Sequence, residues 1–104
     1  GHDYYATRLG LQRWFPEVFE KYRVLSVFDV LKEYLETGKI EVDKNLHQEL
    51  TTLHDPCNYG RKSQRAFGQA YFEEPRWILQ QCCEHVVEMS PNRMDSFCCG
   101  GDRC

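Results

Sequence analysis

The first half of this 104-residue chain contains no cysteine, and the chain as a whole lacks a basic stretch, a long apolar run and any repeated or low-complexity tract. Each absence removes a class of function. Lys and Arg number 13 against 16 Asp and Glu, a formal net charge of −3, with the cations dispersed among acids. A phosphate-backbone binder needs a clustered basic footprint, so nucleic acid is excluded as a partner. No apolar segment approaches the roughly 20 residues that cross a bilayer. No signal-peptide pattern opens the chain either, so a soluble module is expected. Its mass of 12.4 kDa fits one domain with one modest core and leaves no room for a two-domain enzyme. Gly1-His2 has the form of a cleavage scar, and no chemistry is placed on His2.

Cysteine is what the chain has in excess. There are six, Cys57, Cys82, Cys83, Cys98, Cys99 and Cys104, all in the C-terminal half. A secreted disulfide scaffold spreads its cysteines so that bridges close loops across the whole fold, and clustering in two adjacent pairs argues against that. A bridge between neighbours in sequence closes a strained ring. Three readings stay open: a metal or cluster site, a thiol redox site, and ordinary buried cysteine.

The pattern of elements predicts a small α/β domain, three-layer-like, with a short and mainly parallel sheet built on a βαβ unit and preceded by helices. Residues 1–48 form a helical, aromatic lead-in, and residues 49–104 form the cysteine-bearing βαβ part. Pro16 separates a short helix from a turn or second short helix. Val27, Val30, Leu31, Tyr34 and Leu35 recur at helical spacing over residues 27–37, with Ser26 as N-cap, Asp29 in the first turn and Gly38 as the stop. Lys39 to Val42 alternates like an edge strand. A β-prone run, Leu50 to Leu53, ends before Pro56, and a short helix through Ala66 follows in a polar loop. A helix opens at Glu73-Glu74-Pro75 and carries Ile78, Leu79 and Cys82 inward. His85 to Met89 forms the second strand, and Asp95 to Cys98 a brief extended run. The aromatics Trp14, Phe15, Phe19, Phe28 and Tyr34 are expected in the core, with some left as an exposed apolar patch.

Cys57, placed at the end of the first strand, and Cys98-Cys99-Gly100-Gly101 form the informative constellation. Adjacent thiolates can reach two metal atoms of one cluster, and the glycines after them let backbone approach an inorganic core without a Cβ in the way. Cys82 and Cys83 fit a buried helix face better than a redox relay. His54 is a candidate catalytic residue, as ligand or proton donor, against the alternative of a hydrogen-bonded structural histidine. Asp55 is read as capping the following turn. Arg61 and Arg76 either face an anionic site or are solvated, with Glu73 or Glu74 as ion-pair partners.

The stretches His54-Asp55-Pro56-Cys57-Asn58-Tyr59-Gly60-Arg61, Glu74-Pro75-Arg76, Val87-Glu88-Met89 and Phe97-Cys98-Cys99-Gly100-Gly101 resemble successive landmarks of the cysteine-rich CCG domain. That domain occurs in heterodisulfide reductase subunits and related iron–sulfur oxidoreductases. The N-terminal half is similar to the K subunit of the membrane complex linked to dissimilatory sulfite reductase. The resemblance implies a non-cubane [4Fe–4S] cluster that reduces a disulfide or trisulfide, with Cys57, Cys98 and Cys99 as ligands. It implies an enzyme as the parent protein and an inactive excised C-terminal fragment here. The implied partners are other iron–sulfur and membrane subunits and a small disulfide- or trisulfide-bearing protein or thiol, and the implied location is cytoplasmic, at the inner membrane face. The family's distal C-x-x-C has no counterpart in this chain. Cys104 follows Cys99 too closely to replace it, though it suits a zinc module of Cys57, Cys98, Cys99 and Cys104. Zinc loading or a metal-free state of the fragment therefore stays open beside the cluster.

Overall fold

A computed structural model describes residues 1–101. Helices α1 (His2–Trp14), α2 (Pro16–Lys21) and α3 (Val27–Glu36) precede strand β1 (Leu50–Leu53), and helices α4 (Arg61–Phe67) and α5 (Glu73–Cys82) lead to strand β2 (His85–Glu88). Single 3₁₀ turns lie at Lys44–Leu46 and Arg93–Asp95. The strands pair in parallel, from Leu50 opposite His85 to Leu53 opposite Glu88. The result is the small mixed α/β domain that the sequence predicts. Among the described residues no helix is long and apolar enough to cross a membrane.

Local chemistry accounts for the helix boundaries. Pro16, which has no N–H to continue α1, begins α2 instead. Ser26 Oγ accepts from the backbone N–H groups of Phe28 and Asp29 at 3.1 and 3.4 Å, while Asp29 Oδ2 accepts from Ser26 N–H at 2.9 Å. This reciprocal cap satisfies donors that the first turn of α3 leaves without carbonyl partners. Gly38, at φ 74°, follows the other end of α3 in the left-handed conformation.

The buried centre is aromatic and polar at once. Tyr4 from α1, Tyr59 from the turn after β1 and Tyr71 ahead of α5 form the core, with Val24 and Phe28 packed against it. Tyr4 stacks on Tyr59 with centroids 5.6 Å apart and meets Tyr71 edge-on at 5.2 Å. The Tyr71 hydroxyl donates to Asp29 Oδ2 at 2.6 Å, tying the core to the α3 cap. Burial, and then the hydrogen bond to the Asp29 carboxylate, hold the Tyr71 phenol above its ordinary pKa.

Four expectations are corrected. Phe28 packs on the core, but Trp14 is 73 % exposed, and Phe15 and Tyr34 are also on the surface. The tyrosines instead supply large rings with hydroxyls that find partners, Arg8 for Tyr4 and Asp29 for Tyr71. Residues 39–42 form no strand, because the N–H groups of Lys39 and Ile40 turn back to the Tyr34 carbonyl at 2.9 and 3.4 Å. Cys83 is buried and Cys82 only half-buried, since α5 stops at Cys82 and Cys83 is already extended (φ −126°, ψ 141°). The run before Cys98 is partly a 3₁₀ turn, with Asp95 N–H bonded to Asn92 O and Ser96 N–H to Arg93 O.

Removing the Ser26 hydroxyl takes an acceptor from two N–H groups at a buried position. Ser26→Ala should therefore lower unfolding free energy by about 1 kcal/mol in urea titrations followed by far-ultraviolet circular dichroism. An unchanged midpoint would show that the cap contributes nothing.

Candidate functional site

Parallel strands place their C-terminal ends on the same side, and here both ends run into the chemistry-bearing segments. Beyond β1 the chain turns at residues 57–60, fixed by Gly60 N–H to Pro56 O and Lys62 N–H to Cys57 O, each 2.9 Å. Ser63 Oγ donates to Asn58 O inside the turn. A Cβ on Gly60 would stand 2.9 Å from Phe72 Cε1 and 3.2 Å from the Pro56 carbonyl oxygen, so a side chain there would push the Cys57 turn off α5's leading residue. Tyr59 O also accepts from Tyr71 N–H at 2.9 Å, which anchors the turn to the aromatic core.

A buried guanidinium joins this turn to everything after it. Arg76 of α5 is 4 % exposed and Asp55 2 %. Its two terminal nitrogens meet the two Asp55 carboxylate oxygens at 2.7 Å each, a bidentate fork. Its Nε and Nη2 reach Glu88, the last residue of β2, at 2.6 and 3.0 Å, and Nη1 also donates to Phe72 O at 2.6 Å. Asp55 Oδ2 accepts a further bond from Arg93 N–H at 2.6 Å, and Arg93 Nε pairs with Glu73 at 2.8 Å. Burial alone raises the Asp55 pKa. The Arg76 fork, the Arg93 N–H and the two guanidinium charges outweigh it and hold the carboxyl below its ordinary value. The Arg76 hydrogen bond likewise lowers Glu88.

Two more bonds draw the second cysteine segment alongside the first. His54 Nε2 lies 2.9 Å from Phe97 O, and Ser96 Oγ donates to Asp55 O at 3.2 Å. His54-Asp55 is thus laced to Ser96-Phe97, with Cys57 two residues beyond one pair and Cys98-Cys99 directly after the other. Cys57 is half-buried and Cys99 exposed. Cys98 is half-buried and disulfide-bonded, and its sulfur accepts from Gly100 N–H at 3.4 Å. Gly100 takes φ 74°, which favours glycine. Among the described residues no three His, Cys, Asp or Glu side chains converge closely enough to hold a metal ion. Cys104, which the zinc reading requires, lies outside them. Cys82 and Cys83 end α5 at the N-terminal side of β2, the opposite end of the sheet from Cys57.

Several assignments change in consequence. Arg76 pairs with neither Glu73 nor Glu74; Arg93 takes Glu73. Asp55 does not cap the turn, because both of its carboxylate oxygens are engaged by Arg76 and Arg93 N–H. One ring nitrogen of His54 is engaged with a backbone carbonyl. Arg61 is half-buried at the start of α4, with no ion pair among the described residues. The Asp55–Arg76–Glu88 clamp is what sequence reasoning missed. Its only outward sign is that each member lies inside one of the landmark stretches quoted above.

No known protein-family profile matches the chain, and no solved structure matches it significantly. Over 99 residues, 95 % of its length, the chain is 27 % identical to the EtfAB:quinone oxidoreductase of Syntrophomonas wolfei subsp. wolfei, of which it spans only 12 %. The chain is thus distantly similar to part of an oxidoreductase.

The clamp makes two measurable claims. Asp55→Asn removes the charged half of the buried fork and leaves Arg76 with Glu88 alone, and it should lower stability by roughly 2–3 kcal/mol in denaturant titrations; a loss under about 1 kcal/mol would refute the clamp. Because Asp55 and Glu88 have lowered values in the fold, the unfolded chain binds protons more readily. Their contribution is complete above the ordinary carboxylate values, 3.8 and 4.5, and is lost as pH falls through and below them. Thermal unfolding from pH 7 to pH 2 should show that loss in the native chain and a shallower one in Asp55→Asn.

Proposed function

We propose that this chain is a redox domain of an electron-transfer oxidoreductase of the heterodisulfide reductase-like kind, in which Cys57, Cys98 and Cys99 supply thiolates to an iron–sulfur cluster. The observation that carries the proposal is the lacing of His54-Asp55 to Ser96-Phe97, which puts the Cys57 turn beside the Cys98-Cys99 run. The landmark stretches support the finer reading. The distant likeness to a named oxidoreductase supports the coarser one.

The donor chemistry fits such a group, since soft thiolates suit iron and sulfide. The donor count does not. Three cysteines fall short of the four that [4Fe–4S] centres generally use, and no described group is gathered for a metal. Cys98 must also be reduced from its disulfide before it can ligate. The remaining ligands are therefore assigned to residues outside the described ones. What this chain's own residues do is mechanical and electrostatic. Arg76 holds the Asp55 turn, His54 fixes the Phe97 carbonyl, and Gly101 carries no Cβ where one would stand 3.4 Å from Cys99 Sγ. In the parent, the substrate would be a disulfide or trisulfide on a small protein or thiol. Electrons would come from other iron–sulfur subunits of a complex at the cytoplasmic membrane face.

The test is anaerobic reconstitution with ferrous iron and sulfide, on this chain and on a longer protein carrying the flanking sequence. The longer protein should gain iron, sulfide and a broad absorbance at about 400 nm. Cys57→Ser, Cys98→Ser or Cys99→Ser should each diminish these, while Cys82→Ser should not. A longer protein that stays colourless, or an equal loss in Cys82→Ser, overturns the assignment.

A further inference from the structure

Away from the cysteines, the molecule has an open cleft of about 680 Å³ between α1, the connection from α2 to α3, and the segment leading into α5. That volume falls within the range of small-molecule sites. Its charged lining has an excess of one cation. Arg8, Lys21 and Arg23 face it with two carboxylates, Glu20 and Asp29, in a chain whose overall charge is −3. Asp29 is already engaged, since one of its oxygens accepts from both Tyr71 and Ser26 N–H.

Arg8 is the organised member of the set. Its Nη1 donates to Tyr4 Oη at 2.7 Å and to Gln69 Oε1 at 3.2 Å, and its guanidinium carbon sits 4.4 Å from the centre of the Phe67 ring. These contacts use both Nη1 hydrogens and fix the plane of the group. Nε and Nη2, the edge that matches two oxygens of a carboxylate or phosphate, have no hydrogen-bond partner among the described residues. Phe19 and Tyr22 line the same cleft, and Tyr22 is largely exposed. A pre-positioned guanidinium edge beside aromatic surface suits a ligand with an oxyanion at one end and a flat apolar body at the other.

We infer that this cleft binds an organic anion, held by bidentate contact of its carboxylate or phosphate with Arg8, assisted by Arg23 and Lys21, with its planar body against Phe19 and Tyr22. Tyr71, which forms part of the wall, also bonds and packs against Tyr59, two residues beyond Cys57. Occupancy is thereby in contact with the core that anchors the cysteine turn. The inference is independent of any cluster at the cysteines.

The test uses 2-naphthoate, 2-naphthyl phosphate and the neutral 2-naphthamide, titrated into the isotopically labelled chain with amide shifts followed by magnetic resonance. Saturable shifts at Leu25, Gln69 and Tyr71 are expected for one or both anions, the tighter one showing whether carboxylate or phosphate is the natural group. Arg8→Gln should weaken binding about tenfold, and Arg8→Lys should recover only part of it, because the ammonium lacks the fork. Arg23→Gln, which removes no internal hydrogen bond, should weaken binding about threefold and reduce its salt dependence. Equal affinity for the amide, shifts confined to other surfaces, or an Arg8→Gln protein that is folded and binds unchanged would each overturn the inference.

Discussion

The buried guanidinium of Arg76 is the constraint on which the cysteine-bearing end of this protein depends. It meets the carboxylates that close both strands, Asp55 just beyond β1 and Glu88 at the end of β2, and it does so from α5 between them. A buried ion pair of this kind contributes little net stability compared with an apolar replacement, yet breaking one partner is expensive. Its value is geometric. The fork allows one orientation of Asp55, and Asp55 then fixes Arg93 N–H while its backbone oxygen receives Ser96.

The two cysteine-bearing segments are drawn together by hydrogen bonds made upstream of the sulfurs, His54 to Phe97 O and Ser96 to Asp55 O. The aromatic core acts at the other end of the same turn, where Tyr59 is stacked on Tyr4 and bonded through its carbonyl to Tyr71 N–H. The Cys57 turn is therefore gripped from two sides, by an ionic clamp before it and by a tyrosine cluster after it.

Much of the fold was legible from local signals. Pro16, the Ser26–Asp29 pair, Gly38, the halt before Pro56 and the acids opening α5 all state their roles through backbone chemistry that needs no tertiary context. The parallel pairing followed from strand, helices, strand in that order. The core was not legible, because hydrophobicity alone ranks Trp and Phe ahead of Tyr, and a tyrosine's burial depends on a distant partner for its hydroxyl. The structure buries tyrosines whose hydroxyls find Arg8 and Asp29, while Trp14 and Phe15 stay outside. The clamp was hidden for a related reason. Arg76 has two acids close by on its own helix, yet its partners lie 21 and 12 positions away, distances that sequence spacing cannot rank. Cysteine positions were visible, but their grouping depends on bonds made by His54, Asp55 and Ser96.

The central claim is that the clamp, rather than the cysteines, holds the Cys57 turn against the Cys98-Cys99 run. Bridging by a short dithiol-reactive reagent, quantified by mass spectrometry under reducing preincubation, tests it most directly. Native protein should yield a Cys57–Cys99 or Cys57–Cys98 bridge in preference to any bridge to Cys82, and folded Arg76→Met protein should lose that preference. Equal yields of the Cys57 bridges with and without Arg76, in protein shown to be folded, would contradict the account.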